Sequence, residues 1–150
     1  MNTDKQAVAP WFVTGFAERD SSFTYSRSRR GLALYFGMRS TPADARLMGR
    51  IQQTLGGVGK IYSPLRTDAV ARGRTSRPSI YFRVTRIAEL LRVVSHFDLH
   101  PLQGSKRASF EVWREMVLLK SGPEPTDSEQ LNLLAAQLSS LAPRNRPRAR

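Results

Sequence analysis

The sequence contains no cysteine, which excludes disulfides and thiolate zinc sites and leaves the redox compartment open. Histidine is almost as scarce. His96 and His100 are the only two, so a histidine-rich metal centre is disfavoured. No apolar run approaches the roughly 20 residues that a membrane-spanning helix needs. The first ten residues, MNTDKQAVAP, lack the apolar stretch of a secretory signal. With an Asp and no Arg, they also lack the composition of a transit peptide. No basic amphipathic anchor helix is legible, which speaks against a membrane partner. Negative charge is in short supply: 12 acidic residues face 24 lysines and arginines, a formal net charge of +12. The sequence pI is about 11.3. Such a balance favours a polyanionic partner and says little about fold.

What is present is enough for one folded domain. The 150 residues are 40% hydrophobic, above the range of disordered chains. Residues 8–20 read as a short helix. A strand follows over SSFTYSRSRR (21–30), with Phe23, Tyr25 and Arg27 on one face and Thr24, Ser26, Ser28 and Arg30 on the other. Gly31 marks a turn. In the next strand Leu32, Leu34, Phe36 and Met38 point inward, while Ala33, Tyr35, Gly37 and Arg39 point outward. Thr41 as cap, Pro42 at the first helical position and Asp44 in a capping box predict a helix carrying Leu47, Ile51 and Leu55, ended by Gly56-Gly57.

VGKIYSPL and SIYFRVT predict a second strand pair. Ile61, Ile80, Phe82 and Val84 would face the core; Lys60, Tyr62, Tyr81 and Arg83 would face out. Between them runs a basic loop carrying Arg72, Arg74 and Arg77. Three helices complete the pattern. The first carries Ile87, Leu90, Leu91 and Val94, and the second Phe110, Trp113 and Val117. The third has a Thr126/Glu129 capping box and a Leu131, Leu134, Leu138, Leu141 stripe. The helix stripes are read as core in preference to partner surfaces. The order α-β-β-α-β-β-α-α-α predicts an α+β domain, an antiparallel four-stranded sheet with helices on one face and a polar, basic other face. The expected organisation is an N-terminal extension (1–7), a domain (8–122), a C-terminal helix packed on it (123–142) and a basic tail (143–150).

The stretch WFVTGFAERDSSF (11–23), with GVGKIY, SIYFRVT and HFDLHPLQGSKRASFEVW downstream, resembles the LAGLIDADG homing endonucleases over about residues 8–120. Val13 to Ser21 occupies the nine motif positions. The resemblance implies that the motif helix pairs with a second copy of itself. With one motif per chain, that copy comes from a homodimer, through Phe12, Gly15, Phe16 and Arg19. It implies that Asp20, at the end of the motif, binds divalent metal, Mg²⁺, at the DNA backbone. A carboxylate is a hard oxygen ligand suited to that ion. It implies further that the outward strand residues Thr24, Ser26, Ser28, Arg30, Tyr35, Arg39, Lys60, Tyr62, Tyr81 and Arg83 enter the major groove of double-stranded DNA. Arg39 and Arg83 are suited to guanine or phosphate. Arg72, Arg74 and Arg77 would meet phosphate. Lys106 stands near where the family keeps a basic catalytic residue, and Ser40 near a supporting polar position.

Each role has a plainer counterpart. Asp20 could pair with Arg19, Glu18 could be structural instead of metal-binding, and exposed strand residues are polar in any case. Lys106 and Arg107 open a helix; His96 and His100 read as connector residues. The sequence departs from the motif at Arg19, where Ala or Gly is usual, and at Ser21, where Gly is usual. A charged side chain one turn beyond Gly15 must pair with Glu18 or Asp20 or extend to water. Two functions follow: a metal-dependent, site-specific endonuclease making double-strand breaks as a homodimer, or a cleavage-deficient binding protein acting on structured RNA, as a splicing cofactor or particle component. Asp20 favours the first and Arg19 the second.

Overall fold

The computed structural model describes residues 6–63 and 77–141. Helix α1 (Pro10–Asp20) begins at a proline, whose missing N–H costs nothing at a first helical position. It passes without a loop into β1 (Ser21–Ser28). Ser21 is already extended, at φ −115° and ψ 163°, and its hydroxyl donates back to Ala17 O at 2.6 Å. After a two-residue turn comes β2 (Gly31–Ser40), then α2 (Ala45–Thr54), β3 (Lys60–Tyr62), β4 (Ile80–Val84), α3 (Ile87–Leu99), α4 (Lys106–Ser121) and α5 (Ser128–Leu141).

The four strands form one antiparallel sheet in the order β1-β2-β4-β3. The predicted alternation holds. Leu32, Leu34, Phe36, Met38, Ile80, Phe82 and Val84 are buried beneath the helices, and Ile61 is partly buried. Phe23 is the aromatic hub, with ring centroids 5.4 Å from Phe97, 5.3 Å from Phe110 and 5.2 Å from Trp113. These edge-on contacts tie β1 to α3 and α4. Tyr25 and Arg27 share the face of Phe23 and remain satisfied because α5 covers that end. Tyr25 Oη lies 2.6 Å from Ser139 Oγ, and Arg27 donates to Asn132 at 2.9 Å.

Two helix starts differ from the sequence expectation. Thr41 and Asp44 form no capping box. Residues Pro42–Asp44 make a single 3₁₀ turn, and the Asp44 carboxylate instead accepts the Ser40 hydroxyl at 2.5 Å. At α5 the cap is Asp127, not Thr126: its Oδ1 accepts the N–H groups of Glu129 and Gln130, both at 3.1 Å. Leu141 ends the stripe exposed. The Gly56-Gly57 stop is as expected, with φ of 93° and 76°. Val8 is fixed to α2 through Thr54, which accepts from its N–H at 2.9 Å and donates to its carbonyl at 2.7 Å. Arg72, Arg74 and the tail 143–150 lie outside the described residues.

Candidate nucleic-acid interface

On the helix-free face of the sheet lies a recess of about 310 Å³, lined by residues that include Asp20, Thr24, Tyr35, Arg39, Tyr62, Tyr81 and Arg83. The strand register explains the gathering. Arg39 pairs with Tyr81 and Tyr81 with Tyr62; Ser22 pairs with Gly37, Gly37 with Arg83, and Arg83 with Lys60. Side chains two residues apart share a face, so these rows stand side by side on the surface. Arginines and tyrosines interleave there. The Arg83 guanidinium carbon lies 4.7 Å from the Tyr35 ring centroid and 5.8 Å from that of Tyr62. Arg39 lies 5.6 Å from Tyr81, and Tyr62 stacks on Tyr81 at 5.4 Å.

Not every expected residue joins this surface. Ser26 and Ser28 are exposed on the same strand but beyond the recess, toward the turn. Arg30 lies in the two-residue turn itself and belongs to no strand row, because β1 ends at Ser28. Arg77 is exposed just before β4. Ser22 was missed by the sequence reading, although it alternates in step with Thr24 and so shares its face.

The end of α1 is fastened from outside. Lys106 Nζ donates to Ala17 O at 3.3 Å, to Arg19 O at 3.0 Å and to Ser21 O. Those three acceptors match the three protons of an ammonium. They include carbonyls that a helix C-terminus leaves unpaired. Partial burial lowers the Lys106 pKa, and the Asp20 and Glu18 carboxylates oppose that shift. Lys106 therefore clamps the turn that presents Asp20, and as placed it has no proton left for a substrate.

Glu18 is structural, as its plainer reading held. Its Oε2 accepts Gln103 N–H at 2.6 Å, and both oxygens accept Gly104 N–H at 3.1–3.2 Å. Arg19 pairs with neither acid: its side chain is exposed and makes no hydrogen bond or ion pair among the described residues. The Asp20 carboxylate is half-buried at the edge of the recess and likewise accepts no hydrogen bond among the described residues.

His96 is not a connector residue. It is buried in α3, with Nε2 3.1 Å from Thr14 Oγ1. Thr14 gives its own proton to His100 O at 2.8 Å, so Nε2 must be the protonated donor. Burial, and then the neighbouring His100, hold the His96 pKa down at about 4, so the ring is neutral at physiological pH. The contact spans 82 residues of sequence, and nothing local announces it. It fixes one face of α1, where the Trp11 ring also meets His100 edge-on at 5.1 Å. The opposite face is more open: Phe12 is 46% exposed, Phe16 is half-buried against the core, and a Cβ built on Gly15 would meet no atom within 4 Å.

Among the described residues no group of three His, Asp or Glu side chains could hold a metal by itself. Mg²⁺ does not require one, because it keeps several waters and takes one or two carboxylates together with substrate phosphate. An accessible carboxylate free of hydrogen bonds, such as that of Asp20, fits one such ligand. Among the described residues no helix is long and apolar enough to cross a membrane.

The family model described as LAGLIDADG endonuclease matches residues 13–117. The chain belongs to the LAGLIDADG endonuclease family. Homing endonucleases of this family hydrolyse DNA and generally use divalent metals. Among curated relatives, a "Probable intron-encoded endonuclease 3" of Neurospora crassa is 26% identical over 132 residues, which cover 83% of this chain and 23% of that protein. A 50.9 kDa protein in ND4 intron 1 of Podospora anserina is 26% identical over 124 residues, 77% of this chain and 25% of that one. The chain thus spans about a quarter of the length of these relatives. The LAGLIDADG meganuclease I-AabMI, solved bound to uncleaved DNA, superposes with a TM-score of 0.68 at 27% identity, covering 89% of this chain and 43% of that one. The homing endonuclease I-TnaI, at 17% identity and a TM-score of 0.71, shows the fold alone, over 93% of this chain and 99% of the other. The LAGLIDADG fold here is α+β, with a four-stranded antiparallel sheet and, among the described residues, five α-helices.

Proposed function

We propose that the protein is a site-specific DNA endonuclease that makes metal-dependent double-strand breaks as a homodimer. The observation that carries the reading is the state of Asp20. Of the two carboxylates of the motif helix it is the one that accepts no hydrogen bond among the described residues, and it stands at the edge of a cationic, aromatic sheet face. In this reading the sheet enters the major groove, and Asp20 would be the protein's ligand to Mg²⁺ at the DNA backbone. The metal would activate water and stabilise the leaving oxygen. Lys106 holds the turn that aims Asp20. Thr24, Tyr35, Arg39, Tyr62, Tyr81 and Arg83 face the bases, and Lys60 and Arg77 reach phosphate.

The described residues supply one such carboxylate, so cutting two strands takes a second copy of the motif helix, which we place in a second chain. One face of α1 is partly open, with Phe12 and Gly15 exposed, and supports pairing of that helix with its twin. Arg19 lies at the end of the same helix, where two copies would bring like charges together.

The test is Mg²⁺-dependent cleavage of a randomised duplex library, with molecular mass in solution measured alongside. Cleavage by wild type that is lost in Asp20→Asn, from a species of twice the chain mass, is the expected result. A strict monomer in the presence of DNA sinks the homodimer. Tight RNA binding without cleavage of any duplex would favour the binding protein, to which the exposed Arg19 is better suited.

A further inference from the structure

Arg39 and Arg83 rise from the same sheet face, and both lie over tyrosine, yet they are held differently. Arg39 uses a donor within the protein: its Nε bonds Ser79 Oγ at 3.0 Å. Arg83 uses none, and makes no side-chain hydrogen bond or ion pair among the described residues. It is restrained by ring contacts instead, at 4.7 Å to Tyr35 and 5.8 Å to Tyr62. Contact with an aromatic face steadies a guanidinium without consuming an N–H. Among the described residues none of the five donors of Arg83 is taken, while part of its rotamer entropy is already lost. The Tyr62 ring is itself stacked on Tyr81, with planes 16° apart.

Position adds to this. Arg83 lies opposite Gly37, and Gly37 opposite Ser22, two residues from Asp20. A Cβ at Gly37 would meet only Phe82 O, at an ordinary 3.7 Å, so packing does not demand glycine there. The missing side chain instead keeps the surface open between Arg83 and the strand that begins beside Asp20.

We propose that Arg83 sets base preference beside the cleavage centre, donating two parallel hydrogen bonds to O6 and N7 of one guanine per half-site, with Tyr35 and Tyr62 as its positioning residues. This rests on the duplex-DNA reading above. The guanidinium fork matches the paired major-groove acceptors of guanine, which no other base offers.

The experiment reads binding, not cleavage, in an Asp20→Asn background that leaves bound duplex intact. Sequences are selected from a randomised duplex library, and Kd is measured for every base at every position of the selected site. Guanine should be preferred about ten-fold or more at one position per half-site. Adding Arg83→Ala or Arg83→Lys should flatten that position alone, because lysine keeps the charge but not the fork. Tyr35→Leu and Tyr62→Leu should reduce the same preference without changing the salt dependence. An Arg83→Ala variant that weakens all sequences equally and lowers the salt slope by about one would make Arg83 a phosphate contact and overturn the proposal. An unchanged guanine preference would overturn it as well. A protein that selects no duplex sequence would instead refute the functional reading on which the proposal stands.

Discussion

Glu18 and Asp20 stand two residues apart at the end of one helix, and their fates are opposite. Glu18 turns toward the connector before α4 and is bonded by two backbone N–H groups. Asp20 faces the recess and accepts no hydrogen bond among the described residues. The difference shows how a helix end can be held rigid and still present a reactive group. The anchors are Glu18, Lys106 and the Thr14–His96 pair; the groups without a hydrogen bond among the described residues are Asp20 and Arg19. A carboxylate already bonded to backbone would have to give up those bonds to bind metal, whereas Asp20 has no such bonds to break.

The sharpest way to break the contrast is to exchange the losses. Asp20→Asn should reduce Mg²⁺-dependent cleavage on the order of 100-fold or more with an unchanged unfolding midpoint. A destabilised Asp20→Asn protein that still cleaves would invert the assignment. Lys106→Met should do the reverse in stability, costing about 2–3 kcal/mol in urea unfolding as carbonyls at the end of α1 lose a charged donor. Any accompanying loss of cleavage would arise through a misplaced Asp20, so a raised Mg²⁺ requirement should go with it.

His96 gives the anchored side a pH signature. Its folded pKa of about 4 lies below the usual 6.5, so the unfolded chain takes up the proton first. Stability should therefore fall as pH drops from about 6.5 toward 4, by on the order of 2 kcal/mol. In His96→Gln, unfolding curves should lose that part of the pH dependence. Glu18→Ala should cost about 1 kcal/mol, since the two N–H groups it releases can reach water. The smallest effect belongs to Arg19. Arg19→Ala should leave monomer stability within about 0.5 kcal/mol and tighten self-association, read by sedimentation. Weakened association would mean that Arg19 bonds across the interface instead of opposing it.

Much of this was legible beforehand. Alternation of period two placed Leu34, Phe36, Phe82 and Val84 inside and Tyr35, Arg39, Tyr81 and Arg83 outside, because a strand has only two faces. The helix caps were read less well. Asp44 was taken by Ser40 and Thr126 yielded to Asp127, since capping is a competition among nearby hydrogen-bonding groups and sequence names only the candidates. Arg30 was lost to a turn for the same local reason.

By itself, then, the sequence determined the charge, the two-faced sheet and the motif that carries Asp20. These follow from composition and from periods of a few residues. Only the tertiary structure decided that Lys106 is a clamp, Glu18 an anchor and His96 a neutral partner of Thr14. It also decided that Arg83 rests on tyrosines and donates to no group among the described residues. Each of those states depends on a contact across a strand pair or across 80 or more residues. Which of several possible partners a polar group takes is settled by packing, and packing distance is not written in sequence distance.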